Sequence, residues 1–286
     1  MAKPAGPDGL AIVDKAAGWT SHDVVAKARG LLGTRKIGHS GTLDPDATGV
    51  LLLGVGKVTR LLRYLGLPAK TYTGVIVLGT ATSTLDASGD VTGTWDMSGV
   101  DLTAVRAVAE AFTGDILQVP PMVSAIQIDG KRLHELAREG IEVERTPRPV
   151  TVYSFEISGT LPDDPSVLQI CVHCSAGTYV RTLADDLGRL LGGGAHLRNL
   201  RRTAVGSFTE TEARAPDDCT LIEPVDALRD YPKATVDDAT AEMIRHGRVL
   251  DRFDGDGPWA VVGVDGSLLA VYESFGEVAK PAVVIA

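Results

Sequence analysis

Cysteine is scarce in this chain: Cys171, Cys174 and Cys219 are the three among 286 residues. Three cannot build a disulfide framework, and the scarcity fits a reducing compartment. Long apolar runs are missing as well. No stretch approaches the roughly 20 residues needed to cross a bilayer, and the opening MAKPAGPDGLAIV lacks a basic start followed by an apolar run. A soluble, cytoplasmic protein without membrane contact is therefore expected. Basic residues are also in deficit. The net charge is −9, which argues against a generic polyanion binder.

Hydrophobic residues amount to 44% and charged residues to 23%, the balance of a folded globular chain. The length allows one large domain with a small companion. The acidic excess is not spread evenly. Residues 15–75 carry nine Lys/Arg against three acids, and residues 176–202 carry five Arg against two Asp. Residues 217–286 hold 14 acids against six bases. A basic surface able to meet phosphates can exist on this acidic protein.

The periodicity alternates between strand and helix. GLAIVDK reads as a strand, and Ser21 can cap a helix running to about Leu32. VLLLGVGK and TYTGVIVLG read as strands, residues 80–100 as loop and turns, and residues 102–113 as a helix. VSAIQIDGKRLHELAREG suggests a strand, an Asp129-Gly130 turn and a short basic helix. RPVTVYSFEISG and SVLQICVHCSAG alternate as strands, TYVRTLADDLGRLL repeats at helical spacing, and RRTAVGSFTETEA is another strand. This order predicts an α+β fold. Pro216, Pro224 and Pro232 suggest a boundary, here placed as domains 1–225 and 226–286. The second would hold one helix and three strands in about 55 residues, marginal alone and so expected to pack on the first.

Familiar enzyme signatures fail. Ser40 lies in GHSGT rather than G-x-S-x-G, and Gly56-Lys57 is followed by Val58 rather than Ser or Thr. Cys171 and Cys174 form a C-x-x-C inside an alternating strand, so they point to opposite faces and read as ordinary strand cysteines. The six histidines include no H-x-x-x-H pair. What remains is GHSGTLDPDATGVL, residues 38–51. Asp44-Pro45-Asp46 is good turn chemistry and needs no further role. Yet Gly38, Gly41 and Gly49 permit close approach of another molecule, and Leu43 can shield a carboxylate from water. Tyr179 and Arg181 are two apart and could stack on and pair with a nucleobase. Arg181 could equally bridge to Asp185 at i+4. Tyr72 heads a strand, where most tyrosines simply pack.

Taken together, GHSGTLDPDATGVL, GKVTR at 56–60, KTYTGVIVLG at 70–79, PPMVSAIQIDGKRLHELAREG at 120–140 and CSAGTYVRTLADDLG at 174–188 resemble the bacterial tRNA pseudouridine-55 synthases, the TruB family. DKAAGWTSHDVV at 14–25 is similar to that family's N-terminal motif. The likeness runs in order over roughly residues 10–210. It departs at Lys15-Ala16, where the family has Lys-Pro, and at Val123, where an aromatic residue is common.

The resemblance implies a pseudouridine synthase fold, with a mixed, mainly antiparallel central sheet and a small, mostly β, PUA-like RNA-binding domain at the C-terminus. It implies isomerisation of uridine 55 in the tRNA T-loop, without a cofactor or metal, by base flipping. Assistance to tRNA folding, a monomer and no obligatory protein partner go with it. Asp44 would be the catalytic aspartate, Arg181 would pair with it and keep it ionised, and Tyr72 would stack on the base. Tyr179 would line the pocket, Leu200 would cover it, and His39 would fill the space the base vacates. Lys57, Arg60, Lys131, Arg132 and Arg202 would contact RNA phosphates, with residues 120–150 as a mobile RNA-contacting insertion. Two other readings stand beside this one: a guide-dependent synthase of the dyskerin type, and an RNA-binding protein that helps tRNA fold.

Overall fold

In this computed structural model, residues 6–285 are described except 125 and 129, together with all side chains in that range save those of residues 127, 128, 132, 134 and 138. The expected turn at 129–130 and the side chain of Arg132 therefore lie partly or wholly outside the described residues.

The chain runs β1 (Gly9–Lys15), α1 (Ser21–Leu32), β2 (Ile37–Ser40), β3 (Thr48–Val55), a 3-10 turn (Gly56–Leu61), α2 (Leu62–Leu65) and β4 (Lys70–Leu78). Then come β5 (Thr80–Thr82), β6 (Val91–Thr94), α3 (Leu102–Ala111), β7 (Gly114–Gln118), β8 (Gln127–Ile128), β9 (Lys131–Arg132) and α4 (Leu133–Arg138). β10 (Arg148–Leu161), β11 (Asp164–Cys174), α5 (Val180–Leu190) and β12 (Ala195–Val205) complete the larger part. Residues 80–100, expected as loop, contain the β5–β6 hairpin.

The central sheet is ordered Leu221–Ile222, β1, β3, β12, β4, β11, β10, β7, with β2 also paired to β3. Along this path every pairing is antiparallel except β3 with β12, which is parallel. The mixed, mainly antiparallel sheet is as expected. β1 and β3 are apolar on both faces because both are covered. Ala11, Val13, Leu51 and Leu53 pack against Val24 and Ala28 of α1 and Leu183 and Leu187 of α5. Their neighbours Leu10, Ile12, Val50 and Leu52 face the other way.

What covers that second face is the C-terminal sheet. It has five strands, ordered Lys233–Thr235, Trp259–Val262, Leu268–Phe275, Val278–Val284 and Leu250–Asp251. Three strands were expected; the two short ones carry too little periodicity to stand out. Ala260, Val262, Leu268, Val271 and Val283 share one core with β1 and β3. Arg63 meets Glu273 at 2.6 Å and Arg60 Nη1 donates to the Val284 carbonyl at 2.5 Å across the same junction.

The cap of α1 differs from expectation. Thr20 is the cap, in a capping box with Asp23, and Gly33 ends the helix in the left-handed conformation. Ser21 is then free for another task.

Candidate active site

The turn at 44–47 and a reactive carboxylate are the same feature. The Ala47 N–H donates to the Asp44 carbonyl at 3.1 Å, closing the turn. The Ser21 hydroxyl accepts from the Leu43 N–H at 2.9 Å and donates to the Leu43 carbonyl at 3.1 Å. Lys15, fully buried, donates to the carbonyls of Ala16, Trp19 and Pro45 at 3.0, 2.6 and 2.9 Å. The loop is thus pinned on both sides of Asp44, whose own carboxylate is left to face outward.

That carboxylate meets Arg181. The Nε–Oδ2 distance is 2.9 Å, with Arg181 4% exposed and the Asp44 side chain 39%. The Asp44 carboxyl lies deep in protein, and its exposure is to the pocket. Arg181 Nη1 donates to the Thr84 carbonyl at 2.9 Å and Nη2 to the Val123 carbonyl at 2.8 Å. Asp86 stands 3.6 Å from Nη1, its own carboxylate held by Thr84 and Ser88. With its donors committed in four directions, the guanidinium has one position. The i+4 bridge to Asp185 does not form; Asp185 pairs with Arg189 at 2.9 Å.

Burial pushes the Asp44 carboxyl above its ordinary value, Arg181 pulls it back, and Asp86 pushes it up again. The net direction is upward. Arg181 pairs with Asp44 as expected, and its charge opposes the upward push of burial.

The pocket in front of Asp44 has a volume of about 280 Å³ and is lined by Tyr72, Tyr179, Arg181, Leu200, Lys70 and Arg202 among others. Tyr179 precedes α5, and Gln118 grips its backbone: the Tyr179 N–H donates to Oε1 at 2.7 Å, and Nε2 donates to the Tyr179 carbonyl at 3.1 Å. Tyr72 is almost buried, and burial raises its phenol. Leu200 sits at a bulge of β12, after Asn199 with φ of 55°. Gly74 lets that bulge come close, since a Cβ there would lie 3.4 Å from the Leu200 Cα.

Other expected residues are placed differently. His39 does not line the pocket. It lies on β2, two residues before Gly41, edge-on to His22 at 5.2 Å. Burial lowers it to about 4, so it is neutral at physiological pH. Arg202 is 1% exposed and cannot be a surface phosphate contact: Nε donates to Val50 at 2.7 Å and Nη2 to Gly41 at 2.9 Å. It is the pocket floor. Lys57 and Arg60 lie on the 3-10 turn at the junction with the C-terminal sheet, where Lys57 lines a different cavity. The structure does not bring them to Asp44. Lys131 is exposed, 3.7 Å from Glu139. Gly49 serves the protein's own chain rather than a visitor's, because a Cβ there would sit 2.2 Å from the Arg202 carbonyl oxygen.

Sequence reasoning missed Lys15, Lys70 and Asp86. Lys15 and Lys70 had a usable signal: each falls on the inward parity of its strand, with Val13 and Tyr72 respectively, where a cation is out of place. Asp86 lies in a Ser/Thr/Asp/Gly-rich run and gave none.

A carboxylate, a buried guanidinium and two aromatic rings around a nucleoside-sized pocket define a site for base chemistry. Comparison with known proteins names the class. Residues 29–180 match the N-terminal domain of the TruB family pseudouridylate synthases, 181–228 the tRNA pseudouridylate synthase B C-terminal domain, and 231–286 the tRNA pseudouridine synthase II C-terminal domain. The chain is 47% identical to tRNA pseudouridine synthase B of Rhodococcus jostii over 97% of its length and 93% of that protein's. It is 46% identical to that of Streptomyces griseus, covering 98% of both chains. Among solved structures, a Cbf5-Nop10-Gar1 complex superposes with a TM-score of 0.73 at 25% identity, over 97% of this chain and 85% of that one. The chain belongs to the TruB family of pseudouridylate synthases, which are isomerases, and has the pseudouridine synthase fold with a PUA-like C-terminal domain.

Proposed function

We propose that this protein isomerises uridine 55 in the T-loop of tRNA to pseudouridine, as a stand-alone enzyme in the cytoplasm. The observation that carries the reading is the Asp44–Arg181 ion pair opening into a pocket sized for one nucleoside. Near-full-length likeness to proteins named tRNA pseudouridine synthase B supplies the substrate class.

A uridine inside a folded loop cannot reach Asp44 while stacked. It leaves the stack, at a cost of a few kcal/mol, and lies between Tyr72 and Leu200 with its sugar toward Asp44. Asp44 acts at the sugar or base as nucleophile or base. Arg181 orients it, and the pinned turn fixes its distance. His39, neutral and two residues before Gly41 of the pocket lining, fills the gap left in the loop. Residues 120–150 form an RNA-contacting insertion that moves when RNA arrives, with Lys131 toward phosphates. Residues 1–225 form the catalytic domain and 226–286 the small RNA-binding domain. Binding of this kind also favours the folded tRNA, so assistance to folding accompanies catalysis.

The test is release of tritium from tRNA transcript labelled at uracil C5, with the purified chain alone. Release by wild type and not by Asp44→Asn, with both binding tRNA, is expected. No release without added protein or guide RNA would transfer the weight to a guide-dependent enzyme.

A further inference from the structure

Three cations are buried at or behind the pocket without a carboxylate in ion-pair range among the described residues: Lys15, Lys70 and Arg202. Lys15 spends its three donors on the carbonyls of Ala16, Trp19 and Pro45, and Arg202 braces Val50 and Gly41. Lys70 is different. It is 5% exposed and lines the pocket. Its ammonium donates to the carbonyls of Gly66 at 2.5 Å and Pro68 at 2.7 Å. An ammonium has three donors, so one remains. Lys70 shares the inward face of β4 with Tyr72. The ionisable groups beside it are Arg202 from β12 and Cys174 from β11. Neither balances its charge: one is a cation, and the other is a thiol that burial pushes up to about 11. Burial holds Lys70 itself down to about 8. An uncompensated buried cation is costly, and it is retained where an anion arrives.

We propose that Lys70 supplies the positive charge that stabilises the uracil base after it is detached from the sugar. The inference rests on the synthase reading. When the N1–C1′ bond breaks, its electron pair stays with the base, giving a uracil anion delocalised over N1, O2 and O4. C1′ is left electron-deficient and faces Asp44, which lines the same pocket. The anion then turns, C5 bonds to C1′ with the anion's electrons, and the C5 proton is lost while N1 gains one. Charge on the base exists only between the two bonds, so a cation lining the same pocket favours the transition states over bound tRNA. Arg181 is poorly suited to that duty, because its donors are committed to Asp44, Thr84 and Val123. Lys70 is an electrostatic catalytic residue rather than a strut for the 66–68 turn.

The test varies the base. Lys70→Met and Lys70→Gln are compared with wild type and Lys70→Arg on full-length tRNA carrying either uridine or 5-fluorouridine at the target. Single-turnover loss of the N1-linked nucleoside is followed by digestion and chromatography, because C5 of 5-fluorouridine carries no proton to lose and its reaction ends at the C5-linked adduct; tRNA affinity is measured in parallel. Fluorine makes the base a better-stabilised anion, so it needs the lysine less. Lys70→Met and Lys70→Gln are expected to lose about a hundredfold in rate on uridine, the scale of one missing donor to a developing anion. The loss on 5-fluorouridine should be clearly smaller, the affinity unchanged, and Lys70→Arg should recover part of the rate. Equal losses on the two bases, no loss, or a loss of affinity in step with rate would overturn the proposal. Absence of conversion by wild type would instead overturn the synthase reading on which it rests.

Discussion

Two adjacent hydroxyls at the start of α1 carry opposite expectations. In Ser21→Ala, the buried Leu43 N–H and carbonyl both lose their partner. An orphaned buried backbone group costs about 1–3 kcal/mol, so the pair costs roughly 2–6 kcal/mol. For a domain of this size that lowers Tm by roughly 4–24 °C. Leu43 adjoins Asp44, so the carboxylate moves as well, and a displacement of about 1 Å costs up to about a hundredfold in kcat. Thr20→Ala removes the exposed cap bond to the Asp23 N–H and costs about 1 kcal/mol, with activity retained. Thermal unfolding and tritium release on the two variants make the comparison. If Ser21→Ala melts no lower than Thr20→Ala, or turns over like wild type, the clamp on Leu43 does not set the position of Asp44.

Asp44→Asn should abolish turnover while raising Tm at pH 7. Burial raises the folded carboxyl, so stability is lost as pH climbs from the unfolded value through the folded one; the neutral amide escapes that loss. The gain should vanish near pH 4, and a Tm difference independent of pH would contradict the raised carboxyl. Gly49→Ala brings a Cβ into the Arg202 backbone at a φ of 97°; urea unfolding should show a loss of roughly 2–6 kcal/mol, and an unchanged midpoint would refute the tight β3–β12 contact. Lys57→Ala should leave single-turnover rates on bound tRNA unchanged, since Lys57 lines a cavity apart from Asp44; a slowed chemical step would show that the two are linked.

The sequence made strands and helices legible wherever burial was one-sided or complete, because period and parity survive in β1, β3 and α5. Asp44, Tyr72, Tyr179 and Arg181 were legible as residues, and the resemblance implied their convergence; spacing alone did not show it, because it depends on strand order. Arg202 was misread because an arginine in an Arg-rich run looks like surface. Its inward register shows only when Gly49 is seen to touch its backbone. That Lys57 and Arg60 lie at the junction with the C-terminal sheet was not legible, because that sheet is distant in the chain. Thr20 and Ser21 are both good caps by composition, and only the position of Leu43 decides between them.

The parallel pairing of β3 with β12 explains why the site forms where it does. Arg201 lies opposite Thr48 and Arg202 opposite Gly49, and the ladder ends there. In a parallel pair, the residues preceding Thr48 lie beside those preceding Arg201. The turn at 44–47 therefore comes to rest beside Leu197–Leu200, where β12 is held by β4 on its other side. An antiparallel pairing would send the Asp44 turn toward the opposite end of β12. The bulge at Asn199 then turns Leu200 into the space that the missing ladder leaves. β11, next to β4, ends just before the loop that brings Tyr179 and Arg181 to the same side. The pocket is thus a gap in a sheet, held open by a turn that pairs with nothing along β12. Such a gap would collapse in a thin sheet; here β1 and β3 are packed on both faces, and the C-terminal sheet holds the second face in place. The small C-terminal sheet thus supports the pocket by packing on the strands that carry it.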